Sequence, residues 1–501
     1  MAEEAKSVQP QQQTVVEEKN LLELLFEKVD ATVPKERVKI ESDETADKLS
    51  RAVSQFVRAI AASGQTVEKL DKVVVDNVIA QIDKKISSQV NEIMHDESFQ
   101  KMESAWRGLK FLVDRTNFNA NIKIEVLNVS KEELREDFED ATETVQSGLY
   151  KQIYVDEYDQ SGGEPIGAII ANYEFNRSPQ DIALLRNVSK IAAATHAPFI
   201  GSVGSKFFGM KSIDELPQIP VSSIASLFET DEYRQWNGFR ESEDSRYVGL
   251  TSPRFLLRVP YGKDTMPVKE FDFEEDVTGE HEKYLWGNSS FAFAANLTRS
   301  FAENGWCVNI RGPQAGGLVK DLPLHTYKTA GDTDTKIPTE VLIPDAHEFA
   351  LAELGFIPLL YYKNHDFACF FSAHATQKPK KYNDPMATAN SKLCANLPYL
   401  FLVSRLAHYL KVIQRENIGA AKEKDDLQLE LQAWMSKLVT TMKNPSLELK
   451  ARCPLSAASI QVTDFEDNPG FYRVEMQVRP HFQVEGVNVD LSLVSQLPKA
   501  K

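Results

Sequence analysis

The sequence predicts an α/β protein: a helical N-terminal region, a central mixed α/β sheet domain, then C-terminal helices followed by a small β-strand segment. Three observations predict this class. Apolar residues recur at helical spacing from about residue 42 to residue 115, apolar strands then alternate with helices, and short alternating strands occupy the end of the chain. Strands separated by helices are typical of a partly parallel sheet.

The N-terminal segment is predicted to be an arm that carries a short helix. Residues 1–14 are poor in apolar side chains and are expected to be disordered. The next segment, Val15–Asp30, is a predicted helix that would be marginal alone in water. We interpret it as docking into a groove on a partner, with packing on its own body as the alternative. Its apolar stripe consists of Leu21, Leu22, Leu25, Phe26 and Val29.

An extended segment and three helices are predicted next. Thr32–Ile40 contains a proline and looks extended, so its residues Val33, Val38 and Ile40 are candidates for a strand added to another chain's sheet. Apolar periodicity and a capping serine predict helices at about Ser42–Ala62, Thr66–Met94 and Glu97–Arg115.

The middle of the chain is predicted to alternate strands and helices. Ser130 begins a helix with a capping box, and Ser178 with the following proline begins another that ends near Ala197. A further helix is predicted at about Ser290–Glu303. Strands are predicted at Ile122–Val129, Pro165–Phe175, Pro198–Val203, Arg254–Val259, Trp306–Arg311, Phe356–Tyr362 and Phe367–Ser372.

The last part of the chain is predicted to be helical and then stranded. Helices are expected at about residues 387–416 and 424–443. Three strands, Ala458–Asp464, Phe471–Arg479 and Gly486–Leu493, are separated by turns. Strands at a terminus can pair with the sheet edge of another chain, because an unpaired edge is otherwise an aggregation risk.

Composition excludes several classes of function. The 501 residues carry a net charge of −16 without a basic stripe, which argues against nucleic-acid binding. No apolar run reaches the ~20 residues that a membrane helix needs, and the N-terminus lacks signal-peptide features, so we expect a cytoplasmic protein. The 4 cysteines are widely spaced and are expected to be reduced, buried side chains.

No catalytic, metal-binding or cofactor-binding residues are predicted. Gly312–Gly317 begins like a phosphate-binding loop, but Leu318 and Val319 replace the required Lys and Ser/Thr. The charged run Arg240–Arg246 is interpreted as helical ion pairs rather than acid–base catalysts. His196 is expected to be a core residue. Seven aromatic residues are interpreted as one region of core, with some packing between subunits: Trp236, Phe271, Phe273, Tyr284, Trp286, Phe301 and Trp306.

Many segments in one order resemble a known family, the large sheath subunit of type VI secretion systems, from about Phe99 to the end of the chain. The segments that carry the resemblance are Ser104–Leu109, His196–Phe199, Trp236–Tyr247, Pro253–Gly262, Tyr284–Gly287, Gly305–Gly312, Leu397–Leu400, Arg405–Lys411 and Arg479–Phe482.

The resemblance implies a structural, non-enzymatic protein with a phage-tail-sheath-like fold. Its implied partners are a small sheath subunit, further copies in a six-fold helical sheath, an inner tube protein, a baseplate and a hexameric AAA+ ATPase that recycles the contracted sheath. In the family the recognition helix for this ATPase lies near the N-terminus, where Glu17–Val29 stands here. The extended terminal segments are expected to interlace with neighbouring rings.

The expected domains follow from pattern and resemblance together. They are a flexible arm with the partner-binding helix (1–40), a helical region (41–118), a central α/β sheath domain (119–380) and a C-terminal α+β sheath domain with terminal strands (381–501). The alternatives are a sheath subunit of another contractile, phage-tail-like machine and, ranked lower, a soluble α/β enzyme with an unrecognised pocket.

Overall fold

The computed structural model describes residues 72–269, 271–277, 280–329, 332–440, 442, 444–464 and 472–483. The chain divides into two compact units, Met1–Ile86 and Ser87–Lys501. The first unit is described only from Lys72 onward, as the beginning of a long helix. The helices predicted at Val15–Asp30 and Ser42–Ala62 therefore lie outside the described residues.

Helices begin the described chain, alternate with strands in its middle and recur before the two C-terminal strands. A π-helical segment, Lys151–Asp159, follows a short turn of α-helix. The helices are α1 Lys72–Met94, α2 Glu97–Asp114, α3 Lys131–Asp140, α4 Pro179–Thr195, α5 Val221–Leu227, α6 Arg234–Arg240, α7 Ser289–Asn304, α8 Asp345–Glu353, α9 Pro385–Cys394, α10 Leu397–Glu416, α11 Lys424–Ser436 and α12 Leu447–Arg452.

Strands form one large sheet and three two-stranded sheets in the described part of the chain. The strands are β1 Ile169–Phe175, β2 Phe199–Val203, β3 Val248–Ser252, β4 Phe255–Leu256, β5 Trp286–Gly287, β6 Leu318–Val319, β7 His325–Thr329, β8 Asp332–Lys336, β9 Phe356–Tyr361, β10 Ala368–Phe370, β11 Leu455–Asp464 and β12 Tyr472–Pro480.

The large sheet confirms the predicted mixed α/β architecture. Its strand order is β1-β2-β3-β9-β10-β6, parallel from β1 to β9 and antiparallel at β10 and β6. Helix α7 packs against β1, β2 and β3, and α4 packs against β2 and β3. Phe175, Leu185, Ile200 and Leu250 are fully buried at the centre of this core, which holds the sheet and its helices together.

Local sequence signals define the helix starts as predicted. The Ser130 side chain accepts from the Glu133 backbone N–H while Glu133 caps Ser130 in return, which is a capping box. Ser178 caps α4, with Pro179 at its first position. The long helix ending at Met94, the helix Glu97–Asp114 and the helix Ser289–Asn304 also match their predictions.

Two predicted strands are wrong. Ile122–Val129 pairs with no strand among the described residues, and Val126 is 67% exposed. Trp306–Arg311 is irregular because Trp306 and Val308 turn into the C-terminal core, and the Ser300 hydroxyl donates to the Trp306 carbonyl at 2.7 Å. In the second segment the alternation does correspond to burial, at Trp306, Val308 and Ile310, but neither segment has a partner strand among the described residues.

Sequence analysis also missed the central strand β3 and overestimated the strand at Arg254–Val259, which is paired only at Phe255–Leu256. The predicted helix at 387–416 is divided between α9 and α10 because Asn396 forms a β-bridge with His374. The helix predicted at 424–443 ends at Ser436, and the strand predicted at Gly486–Leu493 lies outside the described residues.

Candidate assembly surfaces

The N-terminal residues predicted to bind partners lie outside the described part of the chain. This applies to the recognition helix and to the extended segment that follows it, so both remain predictions. The residues are Leu21, Leu22, Leu25, Phe26, Val29, Val33, Val38 and Ile40.

The C-terminal hairpin, defined as β11 and β12, is a sheet of two strands with open edges. Its strands pair antiparallel from Leu455 opposite Pro480 to Asp464 opposite Tyr472. Within the described residues no strand pairs with the outer edge of β12. The outer edge of β11 is contacted at its start, where the Thr440 backbone N–H donates to the Leu455 carbonyl at 3.0 Å, and near its end, where the Val462 N–H donates to Gln428 Oε1 at 3.3 Å. Unpaired edges of this length are templates for strand addition.

The apolar face of the hairpin is incompletely covered. Leu455, Ile460 and Val462 of β11 are buried against α10 and α11. The matching face of β12 is only half-buried, because β11 lies between it and α11. A strand added beside β12 would bury the rest of this surface. The half-buried side chains are Tyr472, Val474, Met476 and Val478.

The end of the hairpin is tied firmly to the body through Gln483. Its backbone N–H donates to the Tyr399 hydroxyl at 2.9 Å, and its side-chain amide donates to the Val308 carbonyl at 3.1 Å. Arg311 Nε donates to the Gln483 Oε1 at 2.9 Å. A pull on the hairpin would therefore be transmitted to α10 and to the loop before β6 instead of being absorbed by a loose linker.

A buried ion-pair network joins α2 to the loop after β4. Arg258 is 5% exposed and donates to Glu103 at 2.8 Å and to Glu275 at 2.6 Å. Burial disfavours the charged guanidinium, but its bonds to Glu103 and then Glu275 outweigh that cost and raise the pKa of Arg258. Glu275 also accepts from the Tyr261 backbone N–H at 2.9 Å. The network fixes this loop on α2.

A second cluster has the residue types of a metal site, but cationic side chains of the protein already contact it. The ligand atoms of His281, Glu282 and Glu340 lie within 4.8 Å of one another. Arg254 Nε donates to the Glu340 carboxylate at 3.1 Å, and Lys336 Nζ lies 2.9 Å from His281 Nδ1. Burial would raise the pKa of Glu340, but bonds from His281 and Arg254 lower it to about 2. Two adjacent cationic side chains would repel a metal ion, so we assign this cluster a structural role.

Two histidines lie where α10 meets α4. His196 ends α4 in the left-handed conformation, and its Nδ1 lies 3.2 Å from the Tyr247 hydroxyl. His408 is 2% exposed, and its Nε2 donates to the Thr195 carbonyl at 2.8 Å. Burial lowers the pKa of His408 to about 4. His408 is therefore neutral at pH 7 and acts as a buried donor between the two helices.

Lowering the pH should weaken this contact between α4 and α10. The unfolded pKa of histidine is ~6.5, so between there and about 4 the unfolded chain binds more protons than the folded one. Stability from neutral His408 is thus present above pH ~6.5 and falls by about 3 kcal/mol as the pH approaches 4. Urea unfolding between pH 7.5 and 5 should show a shallower loss in His408→Gln, whose amide can donate to the same carbonyl without titrating. Equal slopes would contradict the assignment.

The segments considered as a possible phosphate-binding loop or as acid–base catalysts have structural roles. Gly312–Gly317 is a tight loop in which the Gly317 N–H donates to the Gly312 carbonyl at 2.8 Å. Arg240 does not form the expected helical pair: α6 ends there, and its guanidinium donates to the carbonyls of Thr376 and Glu353. Burial lowers the pKa of Arg240 to about 10. Cys394 is exposed, against expectation.

The aromatic residues do not form one region. Trp236 belongs to the main core around Phe356, Trp306 to the core beneath the C-terminal hairpin, and Trp286 to a small cluster with Tyr284. Sequence proximity grouped side chains that the topology separates. None of the described helices combines the length and apolar composition that crossing a bilayer requires.

Comparisons with known proteins agree with this architecture. Residues 76–377 match the family described as VipB, EvpB/VC_A0108, tail sheath N-terminal domain. Residues 386–497 match its tail sheath gpW/gp25-like domain. The type VI secretion system sheath protein TssC1 of Pseudomonas aeruginosa (strain PAO1) is 49% identical over 432 residues, which are 85% of this chain and 86% of the relative.

Two solved structures are distantly similar. The anti-feeding prophage baseplate covers 75% of this chain and 84% of its own at 10% identity and a TM-score of 0.37. The contracted PVC sheath complex of an extracellular contractile injection system covers 62% and 68% at 9% identity and a TM-score of 0.34.

The family matches define the class: the chain is a tail sheath protein, and as such a structural subunit and not an enzyme. It belongs to the VipB/EvpB family and is a large sheath subunit of a type VI secretion system.

Proposed function

We propose that this chain pairs with a smaller sheath subunit in the bacterial cytoplasm and polymerises with further copies into a six-fold helical sheath. The sheath surrounds an inner tube protein, starts from a baseplate and contracts to drive the tube outward. The observation that carries the proposal is the C-terminal hairpin, with an open β12 edge and a half-buried apolar face, in a chain of the tail sheath family.

In this proposal the extended segment around Val33, Val38 and Ile40 of one chain adds to the hairpin of a neighbour. The four expected domains (1–40, 41–118, 119–380 and 381–501) serve as arm, helical region, central sheath body and C-terminal lattice contact. Contraction needs two packings of one lattice that differ in free energy, and each subunit has to supply only a small share because many act in series. Paired strands keep the lattice connected while the bodies rotate.

Electron microscopy of the chain co-expressed with its smaller partner tests the assembly. We expect hollow tubules with a ridged cross-section. A monodisperse chain that forms no tubules with the partner, at any salt concentration, would contradict the proposed function.

The recognition helix makes a separate prediction. Charged replacements Leu25→Asp and Phe26→Asp should leave tubules intact but abolish their disassembly by the AAA+ ATPase, because anchors of a groove-bound helix contribute most of its affinity. Turbidity of contracted sheaths with ATPase and ATP gives the rate, expected to fall at least ~30-fold. Glu23→Gln, on the polar side of the helix, is the matched control. Normal disassembly of both aspartate variants would show that the ATPase recognises another segment.

A further inference from the structure

We propose that the outer face of α2 binds one amphipathic helix of the smaller, permanently bound chain of the heterodimer. This inference rests on the proposed function, because it presumes that second chain. The binding surface, called the α2 seam below, consists of Phe99, Met102, Trp106, Leu109 and Val113.

The seam has the spacing of a helix-packing surface. Its residues follow one another at steps of three and four, the a/d pattern of a heptad repeat. Trp106 is 69% exposed and Met102 is 53% exposed. The opposite face of α2 is already buried through Gly108, Phe111 and Leu112. A helix that is apolar on both faces is normally buried on both, and among the described residues the exposed side of the seam has no partner.

Contacts from the remaining residues of α2 hold the seam in a fixed position. The Ser104 hydroxyl donates to the Trp286 carbonyl at 2.7 Å, and Arg107 donates to the Tyr261 hydroxyl at 2.9 Å. A Cβ at Gly108 would lie 2.6 Å from the Phe291 ring, so only glycine lets α2 approach α7 this closely. Exposed tryptophan and methionine on a pre-organised element are typical of binding hot spots.

The dimensions and charges of the seam favour a single helix of a different chain. At 1.5 Å per residue the seam is about 21 Å long, which suits about four turns of a partner helix. Lys101 pairs with Glu97 at 2.7 Å and Lys110 with Asp114 at 3.0 Å, so the flanks of the seam are neutralised within α2. Two copies of this chain, each with a net charge of −16, repel as they approach.

The heterodimer contact is expected to persist throughout contraction, unlike contacts between copies. In the proposed contraction, copies move relative to one another, whereas the two chains of a heterodimer stay together. Permanent interfaces are the more apolar ones, and a tryptophan that would otherwise face water belongs in an interface that never opens.

The test uses the full chain co-expressed with a tagged small subunit. Trp106→Lys should raise the Kd of the 1:1 complex at least ~30-fold, as removal of a central hot spot does. Leu429→Lys, on α11 and 72% exposed, is the matched control and should bind normally. Unchanged thermal unfolding of the isolated Trp106→Lys chain excludes misfolding, and a photo-crosslinker at position 106 should label the small subunit.

Three other results would overturn the inference. A Trp106→Lys chain that keeps the 1:1 complex but forms no tubules would assign the seam to contacts between copies. A variant that keeps both would remove the seam from assembly altogether. A wild-type chain that forms no complex with the small subunit would refute the proposed function itself, and is distinguishable because the variant plays no part in it.

Discussion

Replacing Arg258 with methionine is expected to lower the free energy of unfolding by about 3–5 kcal/mol, because it leaves the buried Glu275 carboxylate without its arginine. Glu103 keeps its pair with Arg107 at 2.7 Å. Arg258 donates to both oxygens of Glu103 and of Glu275, and the Glu275 side chain is 1% exposed. Methionine fills a similar volume, so the loss reports on charge rather than on a cavity.

Urea unfolding at pH 7 measures this effect, and two further variants separate its causes. Arg258→Lys keeps the charge but cannot donate in a fork to two carboxylates, so an intermediate loss is expected. The triple change of Arg258→Met with Glu103→Gln and Glu275→Gln should recover part of the loss, since removing these three charges together costs less than removing Arg258 alone. A loss below about 1 kcal/mol for Arg258→Met would mean that water reaches the network.

Local sequence patterns do not predict this network. Its members stand at positions 103, 258 and 275, and their pairing depends on the path of the loop after β4 over α2. Each of them looks like an ordinary surface charge in the sequence. Only Arg258 offers a hint, since it lies within an apolar stretch between Leu257 and Val259.

Local signals did predict the elements whose information is local. The capping box at Ser130 and the Ser178–Pro179 start depend on residues three positions apart, and both are present. Strand pairing depends on distant residues, and local sequence patterns predict it less well. They did not predict β3, whose sequence Val-Gly-Leu-Thr-Ser is short and carries a glycine, although this strand lies between β2 and β9 in the sheet.

Gly249 explains why the sequence does not predict β3. A Cβ at Gly249 would lie 2.8 Å from both Ile200 and Leu397, so the position requires the smallest residue because α10 and β2 converge there. A glycine within a strand weakens the sequence signal for that strand while it satisfies tertiary packing. The same kind of override turned Trp306–Arg311 from a predicted strand into an irregular segment beneath the C-terminal hairpin.

The candidate site was predictable in kind but not in detail. Terminal strands and an extended arm were expected from pattern and resemblance. The hairpin is present, with its first strand beginning at Leu455 instead of Ala458 and its second strand running from Tyr472 to Pro480 instead of from Phe471 to Arg479. The open edge of β12 and the half-burial of its apolar face come only from the order of packing, with β11 next to α11. The α2 seam was visible as periodicity, but its exposure was not.

Introducing a charge at Met476 is expected to abolish sheath assembly while leaving the chain folded. Met476 lies on the half-buried face of β12, opposite Ile460 in the hairpin. A lysine there can extend its ammonium group to water in the free chain, so the stability cost should stay near 1 kcal/mol. If a neighbour's strand covers this face in the sheath, the same ammonium would be buried without a partner, at a cost of several kcal/mol per subunit.

Electron microscopy of Met476→Lys co-expressed with the small subunit checks this expectation. Total tubule length should fall at least ~10-fold, since each 1.4 kcal/mol at a lattice contact changes its equilibrium constant tenfold. Gln477→Lys adds the same charge at the next residue, on the exposed face of β12, and should assemble normally. Met476→Lys should retain the 1:1 complex that Trp106→Lys loses, because the hairpin contacts neighbours in the lattice and the seam contacts the partner within the heterodimer. Tubules of wild-type abundance from Met476→Lys would show that the C-terminal hairpin is left uncovered in the sheath.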